Sequence, residues 1–463
     1  MEKKIADLAV LGAGPGGYVA AIRAAKLGLK TVLIEKSQLG GVCLNTGCIP
    51  TKALHYVSQN IDEIKKSGIF GINITDWNID FQKVMERKDK VIAAQRKGIQ
   101  FHLAKNNVEV ISGNGKLIDT NKIMVNNEVG ENIEITAKNI IIASGSTAKN
   151  IAPFDFTQEG ILDNVKILSL KELPSSILIV GAGVIGCEFA NIFATLGSKV
   201  TLIEALPSIL STEDEDVSKI IHKNFSKKGV NVYLNTMAQS LDIKDNKYIC
   251  NLNNGESLAV DKILVAIGRS PNTEDIGVEN SGIVTDKGFI KVDSHLRTSV
   301  PSIYAIGDVI GGYLLAHVAS KEGKIAAENI AGKEIEMDYK VIPWAVFTSP
   351  EIGTVGLNEK QAAERNLDVR VGVFPFMSSG KAHISAETEG FVKIVSDETS
   401  GEILGAQVIG PRASDLIHEV AVAMKAEMTV EGLANAVYSH PTLFEAVMEA
   451  AEDCFGLATH ISR

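Results

Sequence analysis

Residues 11–36 read LGAGPGGYVAAIRAAKLGLKTVLIEK, and residues 180–205 read VGAGVIGCEFANIFATLGSKVTLIEA. Every motif residue of the first stretch recurs at the same offset in the second, so the chain contains an internal duplication. In the first copy Gly12, Gly14 and Gly17 form GxGxxG, Gly28 lies near the end of a helical stretch, and Glu35 closes the next apolar run. The second copy supplies Gly181, Gly183, Gly186, Gly197 and Glu204. Each glycine pattern follows a short apolar strand (7–11 and 177–180) and leads through an alanine-rich helix to another strand (31–34 and 200–203), which is a β-α-β context.

The first two glycines of such a pattern permit a tight turn and let a pyrophosphate approach the free N–H groups of a helix N-terminus. The third lets the helix pack on its strand. The acidic residue that ends the second strand can accept from both ribose hydroxyls and repels a 2′-phosphate, so Glu204 favours NAD over NADP. A glycine-rich turn with no ligand is the common alternative for one such motif; two copies, each with its acidic residue, weigh against it. Two bound dinucleotides are expected.

Three further apolar runs end in glycine or just beyond it: IIIASG to Gly145, ILVAIG to Gly268 and IYAIGD to Asp308. They read as buried strands of a parallel sheet. Asp308 falls at the C-terminal end of its strand, where open α/β sheets place ligands, and its carboxylate suits a polyol chain; capping the next turn is the competing role.

At 463 residues the chain is too long for one core, and two to four domains are expected. A hydrophobic share of 45% and a charged share of 22% are those of a globular chain. The net charge of -10 argues against a phosphate-backbone partner, so no nucleic acid is expected. The N-terminal apolar stretch 5–12 is too short for a signal-peptide core, and no run is long enough to span a bilayer; a cytoplasmic protein with no membrane span is expected. Five cysteines cannot build a secreted disulfide framework.

Two of those cysteines carry the most specific signal. In GGVCLNTGCIPTK, Cys43 and Cys48 are separated by four residues at the point where a loop enters a helix. Such a pair can close a small disulfide ring, and a helix N-terminus lowers the thiolate pKa and raises reactivity, which suits thiol–disulfide exchange. No second Cys or His cluster follows the pair, so no metal is expected. Two inert buried thiols are the plainer alternative, and Cys187, Cys250 and Cys454 are assigned to that class. Near the C-terminus, SHPTLFEAVMEAAE sets His440 before Pro441 and five residues ahead of Glu445. A histidine oriented by a carboxylate can take a thiol proton near neutral pH, although ordinary local structure is the commoner role of a His before Pro. The other eight histidines have no comparable context, His317 being the least plain.

With these residues in view, the chain resembles the flavin-dependent pyridine nucleotide-disulfide oxidoreductases over essentially its full length, and most closely the dihydrolipoamide dehydrogenases among them. GGVCLNTGCIPTK is similar to that family's redox-active disulfide motif, GAGPGG to its FAD fingerprint, GAGVIGCE to its NAD fingerprint, AIGRSPNT to its inter-domain strand and YAIGDV to its second flavin contact. The resemblance implies an α/β fold with two Rossmann-like dinucleotide-binding domains, for FAD and NAD, plus a C-terminal α+β dimerisation domain. The expected boundaries are 1–147 for the first part of the FAD domain, 148–270 for the NAD domain, 271–340 for a central domain completing the FAD site, and 341–463 for the interface domain.

By the same resemblance FAD would meet Gly12, Gly14, Gly17, Glu35, Lys52, Gly145 and Asp308, and NAD would meet Gly181, Gly183, Gly186, Glu188, Glu204 and Gly268. Cys43 would exchange with substrate, Cys48 would be the charge-transfer thiolate beside the flavin, and Lys52 and Glu188 would pair near its ring. A homodimer is implied in which His440 and Glu445 of one subunit complete the disulfide site of the other. The partner would be a lipoyl-bearing protein of a 2-oxoacid dehydrogenase, acetoin or glycine cleavage complex; an NADH-dependent reductase of another small disulfide and a flavoprotein assembly subunit are the rival functions. The chain departs from the family pattern at Phe444, where Ser is usual, and at Thr46 and Thr51, where Val and Ser are common, which is expected to tune the pocket only.

Overall fold

The computed structural model describes residues 2–127, 130 and 132–461. The first glycine motif leaves the end of the strand Glu2–Leu11, at the centre of a seven-stranded sheet. That strand is flanked in parallel by Thr31–Glu35 and by Asn132–Ile142, so that Leu11 stands opposite both Ile34 and Ile142. Ile303–Ala305 joins in parallel beyond Asn132–Ile142, which brings Asp308 to the same sheet edge as the glycine loop. The second motif leaves the strand Ser176–Val180 of a five-stranded parallel sheet, with Val180 opposite Ile203 and Val265. The three glycine-ended runs are therefore parallel strands, and their near-continuous Ile, Leu and Val content follows from burial on both faces.

The duplication extends to single contacts. Gly12 N donates to Ile34 O at 2.8 Å and Gly181 N to Ile203 O at 2.9 Å. Both glycines have positive φ, +105° and +98°, and a Cβ on either would lie 2.3 or 2.6 Å from the carbonyl of Ala143 or Ala266. A Cβ on Gly17 or Gly186 would lie 1.8 or 1.9 Å from the carbonyl of Gly12 or Gly181, which is why each helix can sit so close to its strand.

A two-stranded ribbon of Ser146–Ala148 and Arg269–Pro271 joins the two nucleotide units. The C-terminal part is a five-stranded antiparallel sheet in the order Pro343–Val346, Glu351–Gly356, Ile403–Gly410, Phe391–Asp397, Val369–Pro375. The helices Ala413–Lys425 and Glu445–Asp453 pack on it through Leu416, Ile417, Val420, Val447 and Ala450. The molecule is thus an α/β protein with two Rossmann-like units and a C-terminal α+β unit. Among the described residues no helix is long and apolar enough to cross a membrane.

The carbonyl contacts at the third glycines leave no flexible atom to yield, so Gly186→Ala is expected to destabilise the protein by about 1–3 kcal/mol. A lowered thermal midpoint in calorimetry checks this, and an unchanged midpoint would show that the helix can retreat from its strand at no cost.

Candidate active site

The cysteine loop lies against the first glycine loop. Gly40 N donates to Ala13 O at 2.8 Å, and Gly41, at φ +59°, approaches so closely that a Cβ there would be 2.6 Å from Gly14 Cα. Cys43 sits in the short helix Gly41–Thr46, and Cys48 is the first residue of the long helix Cys48–Lys66. The segment is pinned from outside. Asn45 donates to Leu39 O and Gly41 O and accepts from Arg96 at 2.6 Å, while Asn164 donates to Thr46 O at 2.7 Å. Thr51 ties its hydroxyl back to Gly47 O at 2.7 Å.

The two cysteines stand in unlike surroundings. Cys43 donates to Cys48, and that hydrogen bond, with burial and the neighbouring negative charge, drives the Cys43 thiol far above its ordinary range. The same hydrogen bond, assisted against burial by the charge of Lys52, brings Cys48 down to about 7. Cys48 is the more acidic of the pair. By contrast Cys187, Cys250 and Cys454 are buried and burial raises all three, the last two to about 11, as expected of inert thiols.

One turn after Cys48, Lys52 pairs with Glu188 through contacts of 2.9 and 2.8 Å. Glu188 comes from the helix of the second glycine motif and is only 2% exposed. It also accepts from Phe347 N at 3.0 Å, and the Phe347 ring lies under the Lys52 ammonium, 4.6 Å from its centroid. Three distant stretches of chain therefore meet at Lys52.

The two acidic residues of the duplicated motifs make identical clasps. Glu35 accepts from Ala13 N at 2.7 Å and Ser37 N at 2.8 Å; Glu204 accepts from Ala182 N at 2.6 Å and Leu206 N at 2.9 Å. Each carboxylate oxygen holds one N–H, which leaves lone pairs for ribose hydroxyls. Neither helix N-terminus has a side-chain cap, and a Cβ built on Gly14, Gly145, Gly183 or Gly268 would meet no atom within 4 Å. Open space above uncapped N–H groups is what a pyrophosphate requires, so the residues present fit a dinucleotide at both loops.

Asp308 is not a simple turn cap. It accepts from Ser146 Oγ, which also accepts from Arg269 Nε at 2.6 Å, and Arg269 stands 3.7 Å from the Asp308 carboxylate. The buried Glu322 fixes the preceding residue by accepting from Gly307 N at 2.7 Å. Ser146 and Arg269 escape sequence reading because their positions relative to Asp308 depend on the ribbon between the two units, and Glu322 because it reaches back from the helix Ala316–Ile330 with no motif to mark it.

His440 and Glu445 form a pair, Nδ1 to Oε1 at 2.8 Å, and Thr442 N holds the other carboxylate oxygen at 2.7 Å. Burial pushes Glu445 up, but Thr442 N, His440 and His460 outweigh it and hold the group below its ordinary value. The His440 side chain is 79% exposed, and within the chain it is not brought to the cysteines: its described polar partner is Glu445. Val437 close by is fully exposed and Phe444 half-exposed, which makes the surroundings of His440 apolar and open. His317, bonded to Pro343 O, and a second histidine–carboxylate pair, His460 with Glu449, complete the notable histidines.

Residues 6–323 match the profile of the pyridine nucleotide-disulphide oxidoreductases, and residues 342–451 match that family's dimerisation domain. The chain belongs to this family. It is 43% identical to the dihydrolipoyl dehydrogenase of Chlamydia muridarum over 96% of each chain. Identity to the dihydrolipoyl dehydrogenase of Geobacillus stearothermophilus is 44%, over 98% of this chain and 97% of that one. The crystal structure of LpdA from Mycobacterium tuberculosis superposes with a TM-score of 0.90 at 29% identity, covering 98% of this chain and 99% of that one. As a member of the family the chain is an FAD- and NAD(H)-using oxidoreductase that forms a homodimer.

The Cys43 hydrogen bond is the largest influence lowering Cys48, so Cys43→Ala should raise the midpoint of Cys48 ionisation above its value of about 7. Thiolate absorbance of the reduced protein against pH checks this; an unmoved midpoint would assign the low value to Lys52 instead.

Proposed function

We propose that the chain is a dihydrolipoyl dehydrogenase, which oxidises dihydrolipoamide carried on a lipoyl-bearing protein and reduces NAD+ in the cytoplasm. The observation that carries this reading is the adjacency of Cys43 and Cys48 against the first glycine loop, with the Lys52–Glu188 pair one helical turn from Cys48. Similarity to dihydrolipoyl dehydrogenases over nearly the full chain supports it. The units are those of the sequence reading: FAD-binding, 1–147; NAD-binding, 148–270; central, 271–340; interface, 341–463.

In this reading Gly12, Gly14, Gly17, Glu35, Gly145 and Asp308 hold FAD, with Lys52 beside its ring. Gly181, Gly183, Gly186, Glu204 and Gly268 hold NAD, and Glu188 orients Lys52. Bound FAD supplies two-electron chemistry between the dithiol on one side and the nicotinamide on the other.

The chain's own residues perform the thiol chemistry. His440 of one subunit, its Nδ1 held by Glu445, takes the proton of a substrate thiol on Nε2. The substrate thiolate attacks Cys43 Sγ in the oxidised pair; the Cys43–Cys48 bond breaks and Cys48 leaves as the thiolate that Lys52 and the helix N-terminus favour. The second substrate thiol then closes the cyclic disulfide by displacing Cys43, its proton passing to the leaving Cys43 sulfur, while the first proton remains on His440. The end state, Cys43 as thiol and Cys48 as thiolate, follows the direction in which their mutual hydrogen bond and the Lys52 charge move the two groups. Glu445 keeps the imidazole in the tautomer that presents Nε2, and its charge stabilises the imidazolium that holds the first thiol's proton.

Adding dihydrolipoamide to the oxidised holoenzyme without oxygen should produce a long-wavelength absorbance band, and NAD+ should then yield NADH; Cys48→Ser should do neither. An unchanged spectrum, with turnover of another disulfide at the expense of NADH, would replace this substrate assignment. His440→Gln should lower kcat for dihydrolipoamide by about 10²–10⁴-fold. Mixed dimers of His440→Gln and Cys48→Ser chains should regain one working site if base and dithiol come from different subunits, and stay inactive if they come from the same one.

A further inference from the structure

Cys48, Lys52, His55 and Gln59 follow one another along the helix Cys48–Lys66 at intervals of three or four residues, and so share one of its faces. His55 takes no part in the thiol chemistry above. It is an imidazole buried to 3% exposure, and two residues of the C-terminal unit close on it. Its ring meets that of Phe347 edge to face, with centroids 5.9 Å apart and planes at 74°. Its Nε2 lies 3.9 Å from Glu351 Oε1. Glu351 is itself anchored, accepting from Gln59 Nε2 at 3.1 Å on that oxygen and from Ser414 Oγ at 2.7 Å on the other. Phe347 has two further contacts: its N–H donates to Glu188 at 3.0 Å, and its ring carries the Lys52 ammonium 4.6 Å from the centroid. His55 therefore stands against the one residue that touches both members of the Lys52–Glu188 pair.

We propose that His55 is a positioning residue for the Lys52 ammonium: seated between Phe347 and Glu351, it fixes the ring on which that ammonium rests, and so ties the geometry of the C-terminal unit to the dithiol. The inference rests on the reading of Lys52 as the cation beside Cys48 and the flavin ring. The physical case is one of restraint. A lysine on its flexible four-carbon stem keeps one position only where several contacts hold it, and here they are a buried carboxylate and an aromatic face. That face serves only while the ring keeps its angle. Phe347 falls between the strands Pro343–Val346 and Glu351–Gly356, outside both, so no strand ladder sets its side chain; the edge-to-face contact with His55 does. Burying an imidazole costs free energy that an apolar residue of similar volume would not, and the Glu351 carboxylate, held in place by Ser414 and Gln59, offsets that cost. The groups whose charges bear on Cys48 are Cys43, Lys52, Glu188 and Arg269. Of these, Lys52 and Glu188 both touch Phe347.

The test compares five holoenzyme dimers: unmutated, His55→Leu, Phe347→Leu, Lys52→Met and the double variant His55→Leu with Lys52→Met. In each, the holoenzyme is reduced by two electrons with dithionite, and the pH midpoint of its long-wavelength band is read beside kcat and KM for dihydrolipoamide. Lys52 lowers Cys48, so an ammonium released from its seat should raise that midpoint. His55→Leu is expected to raise it and to lower kcat by about tenfold with KM nearly unchanged, short of the roughly 10²-fold that a misplacement of about 1 Å can cost. Phe347→Leu removes the same link from the other side and should do likewise; it decides the matter if His55→Leu does not fold. In the double variant the His55 change should move the midpoint no further than Lys52→Met does, because the two act through one interaction. A lowered thermal midpoint in His55→Leu with the band and kcat unmoved, or full additivity in the double variant, would mean that His55 merely packs and would overturn the proposal. Lys52→Met separates the two readings. If it leaves the midpoint in place, Lys52 is not the cation that governs Cys48 and the underlying reading falls; if it moves the midpoint while His55→Leu and Phe347→Leu do not, only the role of His55 falls.

Discussion

The backbone of the cysteine loop rests on the backbone of the first glycine loop, Gly41 over Gly14, with no room between them for a methyl group. Much of the site follows from that contact. It places the N-terminus of the helix Cys48–Lys66 beside the mouth of the first nucleotide unit, and it leaves the open face of Gly14 free for a phosphate. A side chain at position 41 would part the two loops and move Cys43 together with the helix that Cys48 begins. The outer pins, Arg96 on Asn45 and Asn164 on Thr46, then fix the loop's rotation about that contact.

Electrostatics turns this placement into chemistry by making two identical side chains unlike. Cys48 has a helix N-terminus and, one turn away, an ammonium; Cys43 has neither so directly and serves as donor to its neighbour. The ammonium is itself restrained. Burying Glu188 alone would be costly, but Lys52, the Phe347 N–H and the cation–π contact with the Phe347 ring compensate it together. The same logic recurs at the C-terminal end, where Thr442 N and Glu445 hold an exposed imidazole in one orientation.

Much of this was legible in the sequence because it obeys local rules. The glycine spacings, the terminal acids and the apolar runs each report on a single strand–turn–helix unit, and the two copies are read independently of everything around them. Cys43, Cys48 and the pair of His440 with Glu445 are likewise near neighbours in the chain. What stayed hidden is what only tertiary packing joins: Arg269 and Ser146 at Asp308, Glu322 behind Gly307, Arg96 on the cysteine loop. His460 was passed over because its partner lies eleven residues back across the end of a helix, with no motif linking them. His55 is a harder case: it is 3% exposed with its Nε2 3.9 Å from the Glu351 carboxylate, and a solitary histidine in a helical stretch gives no sign of a partner so far along the chain.

The two copies of the nucleotide-binding unit differ at one position that matters. Where the first helix has Val19, the second has Glu188, and that carboxylate reaches out of its own unit to hold Lys52 beside the cysteines of the other. The second copy has lent a charge to the first, so the halves are no longer interchangeable parts. Replacing either with a self-contained dinucleotide-binding domain, however well it folded, would strand an ammonium or a buried carboxylate without its counterpart. Repetition in the sequence has in this way been converted into dependence between the repeats, and the chain behaves as one catalytic body rather than two modules in tandem.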